Sequence, residues 1–287
     1  IFDLLGLQAT KASFGPAPFR RVAEFAQQLP FATFEGKHAA ATRYFESTAA
    51  SIICVQEGRA LCDFPAIANR YQRFPAAGDE YTMVLVPRAT EVESFSAPVL
   101  PALQAALSTH ASAETAKAWR TTCSRVAVAR MKIQTTMVTA ASVHCNKHES
   151  TADLLVALKK ILEREAPAEF FVIGCDTNVP GDRAGDFQKR MVAAGFDLGC
   201  PGDQVTVAKQ RTMFQTQTLK CGEVDVSCKD YVFSWGTKLA RVDSSYTPDL
   251  HSDFGVERDT GKKMRLPTPT WPFDHAGVAV RFQLEST

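Results

Sequence analysis

The sequence predicts a mixed α/β fold built in layers. Three observations carry this: short apolar, β-branched runs recur along the chain, amphipathic helical stretches separate some of them, and the runs at 126–131 and 137–143 follow one another with no helix between. The first two give sheets covered by helices. The third gives antiparallel pairing within them.

Residues 37–49 read as a helix feeding a strand at 51–55 (SIICV), and further strands are expected at 82–86, 126–131 and 137–143. Each is an apolar run bounded by polar or turn-forming residues, as a strand buried on at least one face requires. The segment 151–165, TADLLVALKKILERE, places leucines and isoleucine three and four residues apart behind Thr151, which is positioned to cap a helix. Residues 186–194 form a second amphipathic helix, and strands follow at 170–173, 231–233 and 278–282. The first thirty-five residues, and 237–270 with Pro248, Pro267 and Pro269, read as long surface connections, where substrate contacts concentrate. No repeat, low-complexity tract or Gly/Pro-rich linker interrupts the chain, so 1–287 reads as a single domain, long enough to bury a core without staples.

Thirty-two Lys and Arg against 31 Asp and Glu leave a net charge of +1. That excludes a protein gripping nucleic acid mainly through bulk phosphate charge, while leaving open a phosphate-bearing substrate met by local charge. No run approaches the eighteen apolar residues of a membrane-spanning helix. The 8 cysteines contain no C-x-x-C pair and several lie in apolar runs, which suits reduced, buried thiols in an intracellular compartment. IFDLLGL at the start has no basic residue and is too short for a signal peptide, and delivery to an organelle by a lost presequence stays open.

The informative feature is where the polar residues stand. SIICVQEG ends its strand in Gln56 and Glu57, TAASVHCN in His144, and FFVIGCDTN in Asp176 and Asn178; KDYVFSW opens on Asp230, and WPFDHAGVAV opens on Asp274 and His275. One acid at a strand end is ordinary. Five ends rich in Asp, Glu, Asn and His point to strands converging around one pocket.

In this order the motifs ICVQE, VHC, IGCDTN, KDYVF and DHAGV resemble the endonuclease/exonuclease/phosphatase superfamily, the metal-dependent phosphodiesterase family of deoxyribonuclease I and the abasic-site endonucleases. The resemblance covers most of the chain and implies a four-layered α/β sandwich, two mixed β-sheets flanked by helices. Its opening is nearest the deadenylase and nocturnin branch, in which a strand ending in Asn precedes a long connection, a helix and the QE motif. IFDLLGLQAT would follow that Asn, which is expected just upstream of Ile1. DTN also occurs in the tyrosyl-DNA phosphodiesterase branch. Two positions depart from the family pattern: Cys175 stands where Gly usually precedes the Asp, and Phe273 where Ser precedes the Asp-His pair.

The resemblance assigns roles that phosphodiester hydrolysis needs in any case, namely charge neutralisation, a positioned water and help for the leaving alkoxide. Glu57 is the expected principal ligand of Mg²⁺ or Mn²⁺, with Asp274 completing the metal side. Asp176 would orient or deprotonate the water, and Asn178 would stabilise the pentacoordinate phosphate. His275 would hold a phosphate oxygen or act as acid/base with Asp230 fixing its tautomer, and His144 would contact the phosphate.

Other candidates carry two readings each. Lys209, Arg211 and Lys220 lie in an amide-rich loop that either binds phosphates or bases through Arg211, Gln215 and Gln217 or is a solvated hairpin. Trp119, Trp235, Trp271 and Phe273 offer a stacking face to a base or pack as core. His144 and His148 have a spacing that suits zinc only on a helix, and His38, His110 and His251 read as solvated. The function expected is a Mg²⁺-dependent phosphodiesterase on nucleic acid, RNA ahead of DNA, with a 3′ exoribonuclease of deadenylase type first. The alternatives are a small phosphorylated substrate, or a non-catalytic member serving as a structural subunit of a larger complex.

Overall fold

The structure, a computed structural model, describes residues 39, 43–44, 46–47, 50–58, 65–108, 113–145, 150–199, 205–210, 224–237, 239–247 and 275–284. Its strands are β1 (Ile53–Val55), β2 (Tyr71–Ala76), β3 (Asp79–Pro87), β4 (Val92–Ser94), β5 (Val126–Ile133), β6 (Thr136–His144), β7 (Phe170–Asp176), β8 (Asp197–Leu198), β9 (Val207–Gln210), β10 (Val224–Ser227), β11 (Asp230–Gly236), β12 (Leu239–Thr247) and β13 (Gly277–Leu284). Its helices are α1 (Pro65–Arg70), α2 (Ser96–Ser108), α3 (Ala113–Cys123), α4 (Thr151–Glu165) and α5 (Ala184–Ala193). No helix among the described residues is long and apolar enough to cross a membrane.

Six strands form the central sheet in the order β4-β5-β6-β7-β11-β8, with β6 and β7 parallel and the other neighbours antiparallel. A smaller antiparallel sheet, β1-β3-β2, faces it, and β9-β10 and β12-β13 form two-stranded ribbons. β6 and β7 are buried along almost their whole length. Strands covered on both faces read as continuous apolar runs, which is why these two were legible from sequence.

Three clusters of buried side chains separate the layers. Between the sheets, Val84 and Val86 of β3 meet Ala127, Ala129 and Ala140 of β5 and β6, with Phe170 packed edge-on against Phe282 of β13. On the outer face of the central sheet, Leu154, Leu155, Leu158 and Leu162 of α4 pack with Val128, Ile173 and Phe233. On the far side of the small sheet, Ile67 of α1 and Tyr71 join Ile53, Val55, Met83 and Leu85. The result is sheets flanked by helices, as expected.

Thr151 departs from its expected place. It is the first residue of α4, whose N-cap is Ser150 with no side-chain cap bond. Its hydroxyl donates instead to Thr177 O at 3.1 Å, tying the helix to the loop after β7. The helices α2 and α3 carry no expectation, and α2 holds Pro101 within it. Part of the segment expected as a surface connection is strand: β12 pairs with β13 through a bulge between Arg241 and Asp243. Five of the eight cysteines, Cys54, Cys123, Cys145, Cys175 and Cys228, are described, and all are free thiols.

Candidate active site

The register of the central sheet builds the site. β6 and β7 run parallel with His144 opposite Asp176, and β7 and β11 run antiparallel with Asp230 opposite Asp176. Three strand ends therefore meet at one edge and carry His144, Asp176 and Asp230 side by side. His275 joins them from another direction. It forms a bridge with Val207, while Ala276 N donates to Thr206 O at 2.8 Å. The Thr206 hydroxyl in turn accepts from Lys229 N and Asp230 N at 2.9 and 3.1 Å, so one buried threonine sets both members of the pair. His275 Nδ1 lies 3.0 and 2.9 Å from the two oxygens of Asp230.

Asp176 is nearly buried, and its carboxyl is pushed up to about 7, first by loss of solvation and then by the neighbouring charge of Asp230. His275, Asn178 N and Lys229 oppose that rise. Asn178 has a left-handed backbone, φ 51°, which Asn tolerates better than most residues. That turn lets Asn178 N donate to Asp176 Oδ1 at 2.9 Å, and lets Nδ2 donate to Cys145 O at 2.6 Å and Asp176 Oδ2 at 3.3 Å. Asn178 thus clamps the carboxylate, and giving a hydrogen bond to a phosphate requires it to exchange one of these partners.

Glu57 arrives from the smaller sheet. Gln56 crosses the layers, donating to Ser142 Oγ at 2.8 Å and Gly174 O at 3.2 Å, while the Ser142 hydroxyl donates to Val55 O at 2.9 Å. The sheets approach closely there: a Cβ on Gly174 would lie 2.4 Å from Cys54 Cβ, so only glycine fits. Beyond Gln56 the chain turns through a left-handed Glu57, φ 56°, and Glu57 Oε1 stands 3.8 Å from His144 Nε2. Asp176 Oδ2 is 3.9 Å from the same nitrogen. Burial, before any charge, holds the His144 pKa below the ordinary imidazole range, and Arg125 also lowers it.

Of the residues expected from sequence, Glu57, His144, Asp176, Asn178, Asp230 and His275 are brought to one edge. Asp274, Arg211, Gln215 and Gln217 lie outside the described residues, as do His148, Trp271 and Phe273. The two described tryptophans follow the core reading. Trp119 is buried, and Trp235 stacks on Phe171 with centroids 4.7 Å apart and donates from Nε1 to Glu163 on α4. Ser142 and Thr206 are the site residues that the sequence did not single out, being small polar residues whose role is set by register. Gln56, named with Glu57 at its strand end, turns out to tie the two sheets together.

Ligand atoms of Asp176, Asp230 and His275 lie within 4.8 Å of one another. The donor set is oxygen-rich, and two close carboxylates, one of them with its pKa raised to about 7 first by burial and then by the other's charge, suit a hard divalent cation that would relieve the repulsion.

No protein-family model and no curated protein matches this chain. Solved structures do. An endonuclease/exonuclease/phosphatase protein from Bacteroides vulgatus superposes with a TM-score of 0.55 at 12% identity, covering 88% of this chain and 92% of that one. TDP2 from D. rerio, complexed with single strand DNA product, gives 0.53 at 14% identity over 86% and 91%. TDP2 from C. elegans gives 0.51 at 13% identity over 96% and 83%. At such identities the likeness speaks to architecture, and with the ordered strand-end motifs it settles that architecture: this chain has the endonuclease/exonuclease/phosphatase fold.

Proposed function

We propose that the protein is a divalent-metal-dependent phosphoric-ester hydrolase acting on nucleic acid, a 3′ exoribonuclease of deadenylase type. The observation that carries this is the convergence of Glu57, His144, Asp176, Asn178, Asp230 and His275 from two sheets onto one edge. Glu57 would be the principal ligand of Mg²⁺ or Mn²⁺, and Asp274 is assigned to the metal side from sequence alone. Such an ion supplies charge neutralisation at the phosphate and the leaving oxygen.

The chain's own groups account for the rest. Asp176, raised toward neutrality and clamped by Asn178, is placed to orient a water and take its proton. His275, with Nδ1 on Asp230, has its tautomer set, so that Nε2 is the nitrogen that would meet a phosphate oxygen or take a proton. His144 faces the acids through Nε2 and is placed to donate to a nonbridging oxygen.

RNA ahead of DNA rests on the opening residues that resemble the deadenylase branch, while DNA has in its favour the neighbour bound to single strand DNA product. A small phosphorylated substrate is the second reading, favoured by the net charge of +1. The five described thiols, all unbridged, support a reducing, intracellular setting. The test is a panel of poly(A) RNA, mixed RNA, single-stranded and abasic DNA and phosphorylated dinucleotides, with chelator and with added Mg²⁺ or Mn²⁺. Chelation should abolish hydrolysis and metal restore it, with RNA bearing a free 3′ end cleaved fastest. Activity surviving excess chelator removes the metal, activity confined to dinucleotides selects the second reading, and none on any substrate leaves a structural subunit.

A further inference from the structure

His144 and His275 are neighbours in the site, yet opposite kinds of group face them. His275 Nδ1 meets a carboxylate, which only accepts, so its proton sits on Nδ1 and Nε2 keeps the lone pair. His144 Nδ1 meets the guanidinium of Arg125, Nη1 at 3.4 Å. Arg is always protonated and has no acceptor, so it can only donate. The other side of the ring is compatible with this: Nε2 of His144 lies 3.8 Å from Glu57 Oε1 and 3.9 Å from Asp176 Oδ2, outside direct hydrogen-bond reach but on the carboxylate side.

Arg125 is held in place. Its carbonyl accepts from His144 N at 3.2 Å, and its Nε lies 3.9 Å from Asp79 Oδ2. Asp79 opens β3 and is itself fixed, accepting from Tyr81 N at 3.1 Å and from the buried Thr82 hydroxyl at 2.8 Å. The turn before it is pressed onto the residue preceding Arg125: Gly78 N donates to Ser124 O, and a Cβ at Gly78 would lie 2.6 Å from Ser124 Cβ. Tyr81 O also accepts from Gly58 N at 2.9 Å, so the strand that braces Arg125 also braces the residue after Glu57.

We infer that Arg125, anchored by Asp79, is a positioning residue that fixes His144 with its proton on Nε2, so that the two site histidines are wired in opposite senses, His144 as donor and His275 as acceptor. A phosphoryl group between them then meets one ring that gives a hydrogen bond and one that takes a proton, without either having to exchange tautomers. The catalytic consequence rests on the phosphodiesterase reading, whereas the tautomers themselves do not.

The test reads the imidazole nitrogens of the ¹⁵N-labelled full chain by long-range ¹⁵N–¹H correlation, in chelator, above the ordinary histidine titration range, with His144→Gln and His275→Gln for assignment. His144 should show an unprotonated Nδ1 and a protonated Nε2, and His275 the reverse. Arg125→Met should move the His144 signals toward a mixture of tautomers and leave those of His275 in place, and Arg125→Lys, which also only donates, should restore them. In hydrolysis Arg125→Met should lower kcat about 10–100-fold, the usual effect of removing a group that orients a ligand or catalytic side chain, with KM little changed and Arg125→Lys recovering most of the loss. A proton on Nδ1 of His144 in the unaltered chain, or an unchanged His144 spectrum in folded Arg125→Met, overturns the inference. If Arg125→Met does not fold, the spectra of the unaltered chain and of Arg125→Lys decide. Opposite tautomers in a chain that hydrolyses nothing would keep the wiring and remove the function.

Discussion

The two sheets contribute to the site in different ways. On the central sheet, Asp176 and Asp230 are paired by strand register, and the Asp176 and His144 side chains are only 11% and 8% exposed. On the smaller sheet, Glu57 stands past the end of a three-residue strand in a left-handed turn, with its side chain 76% exposed. Burial fixes geometry but raises the cost of charge, which is why Asp176 is pushed toward neutrality. Exposure leaves Glu57 hydrated and able to keep its charge. One half of the site is a buried, partly discharged frame and the other an exposed charged arm.

Removing a member of the frame should have the largest effect on rate. His275→Ala and Asp176→Asn are each expected to lower kcat by about 10²–10⁴-fold, the range for a lost acid or base, with the melting temperature held or raised in Asp176→Asn because a repulsive buried carboxylate is gone. A large loss of melting temperature with little loss of rate would make these residues structural. Glu57→Gln should act on the metal rather than the frame. Its Mg²⁺ titration should shift by at least the ~10–100-fold seen when a supporting residue is lost, with unfolding in chelator unchanged. An unaltered titration would remove Glu57 from the metal side.

The frame's discharged state is itself measurable. The folded pKa of Asp176, about 7, lies above the ordinary 3.8, so the folded chain holds this proton more tightly than the unfolded one. The contribution is fully present below about pH 4 and is lost as pH rises to about 7, by at most ~4 kcal/mol. Stability of the metal-free chain should therefore fall over that window, and Asp176→Asn should flatten the fall. Parallel pH–stability curves for the two proteins would show that Asp176 ionises normally. The smallest effect is expected where the two halves touch: Gly174→Ala forces a methyl onto Cys54 and should cost about 1–3 kcal/mol, read as a lower denaturation midpoint. A neutral result would mean that the sheets separate at no cost.

The frame was the more legible half in the sequence. FFVIGCD and TAASVH are strands buried on both faces, so their apolar runs show without alternation, and the polar residue ending each run marks where the sheet meets solvent. α4 was legible in all but its cap, because three- and four-residue spacing needs no tertiary context. The helices α2 and α3 were not: α2 is apolar with a proline inside it, α3 is Ala- and Thr-rich, and both are held by packing on the central sheet.

The ordered motifs by themselves determined the layered architecture and the identities of the acids and histidines, since residue type is chemistry and needs no coordinates. What only the tertiary structure decided is how those groups are wired. Whether His144 faces a donor or an acceptor depends on Arg125, nineteen residues away, and Asp79 on the other sheet. That Asp176 faces Asp230 is set by a strand register spanning fifty-odd residues of chain. Proton positions and pKa shifts depend on distances of a few ångströms between segments remote in sequence, because hydrogen bonding and desolvation act through space. No local pattern records them.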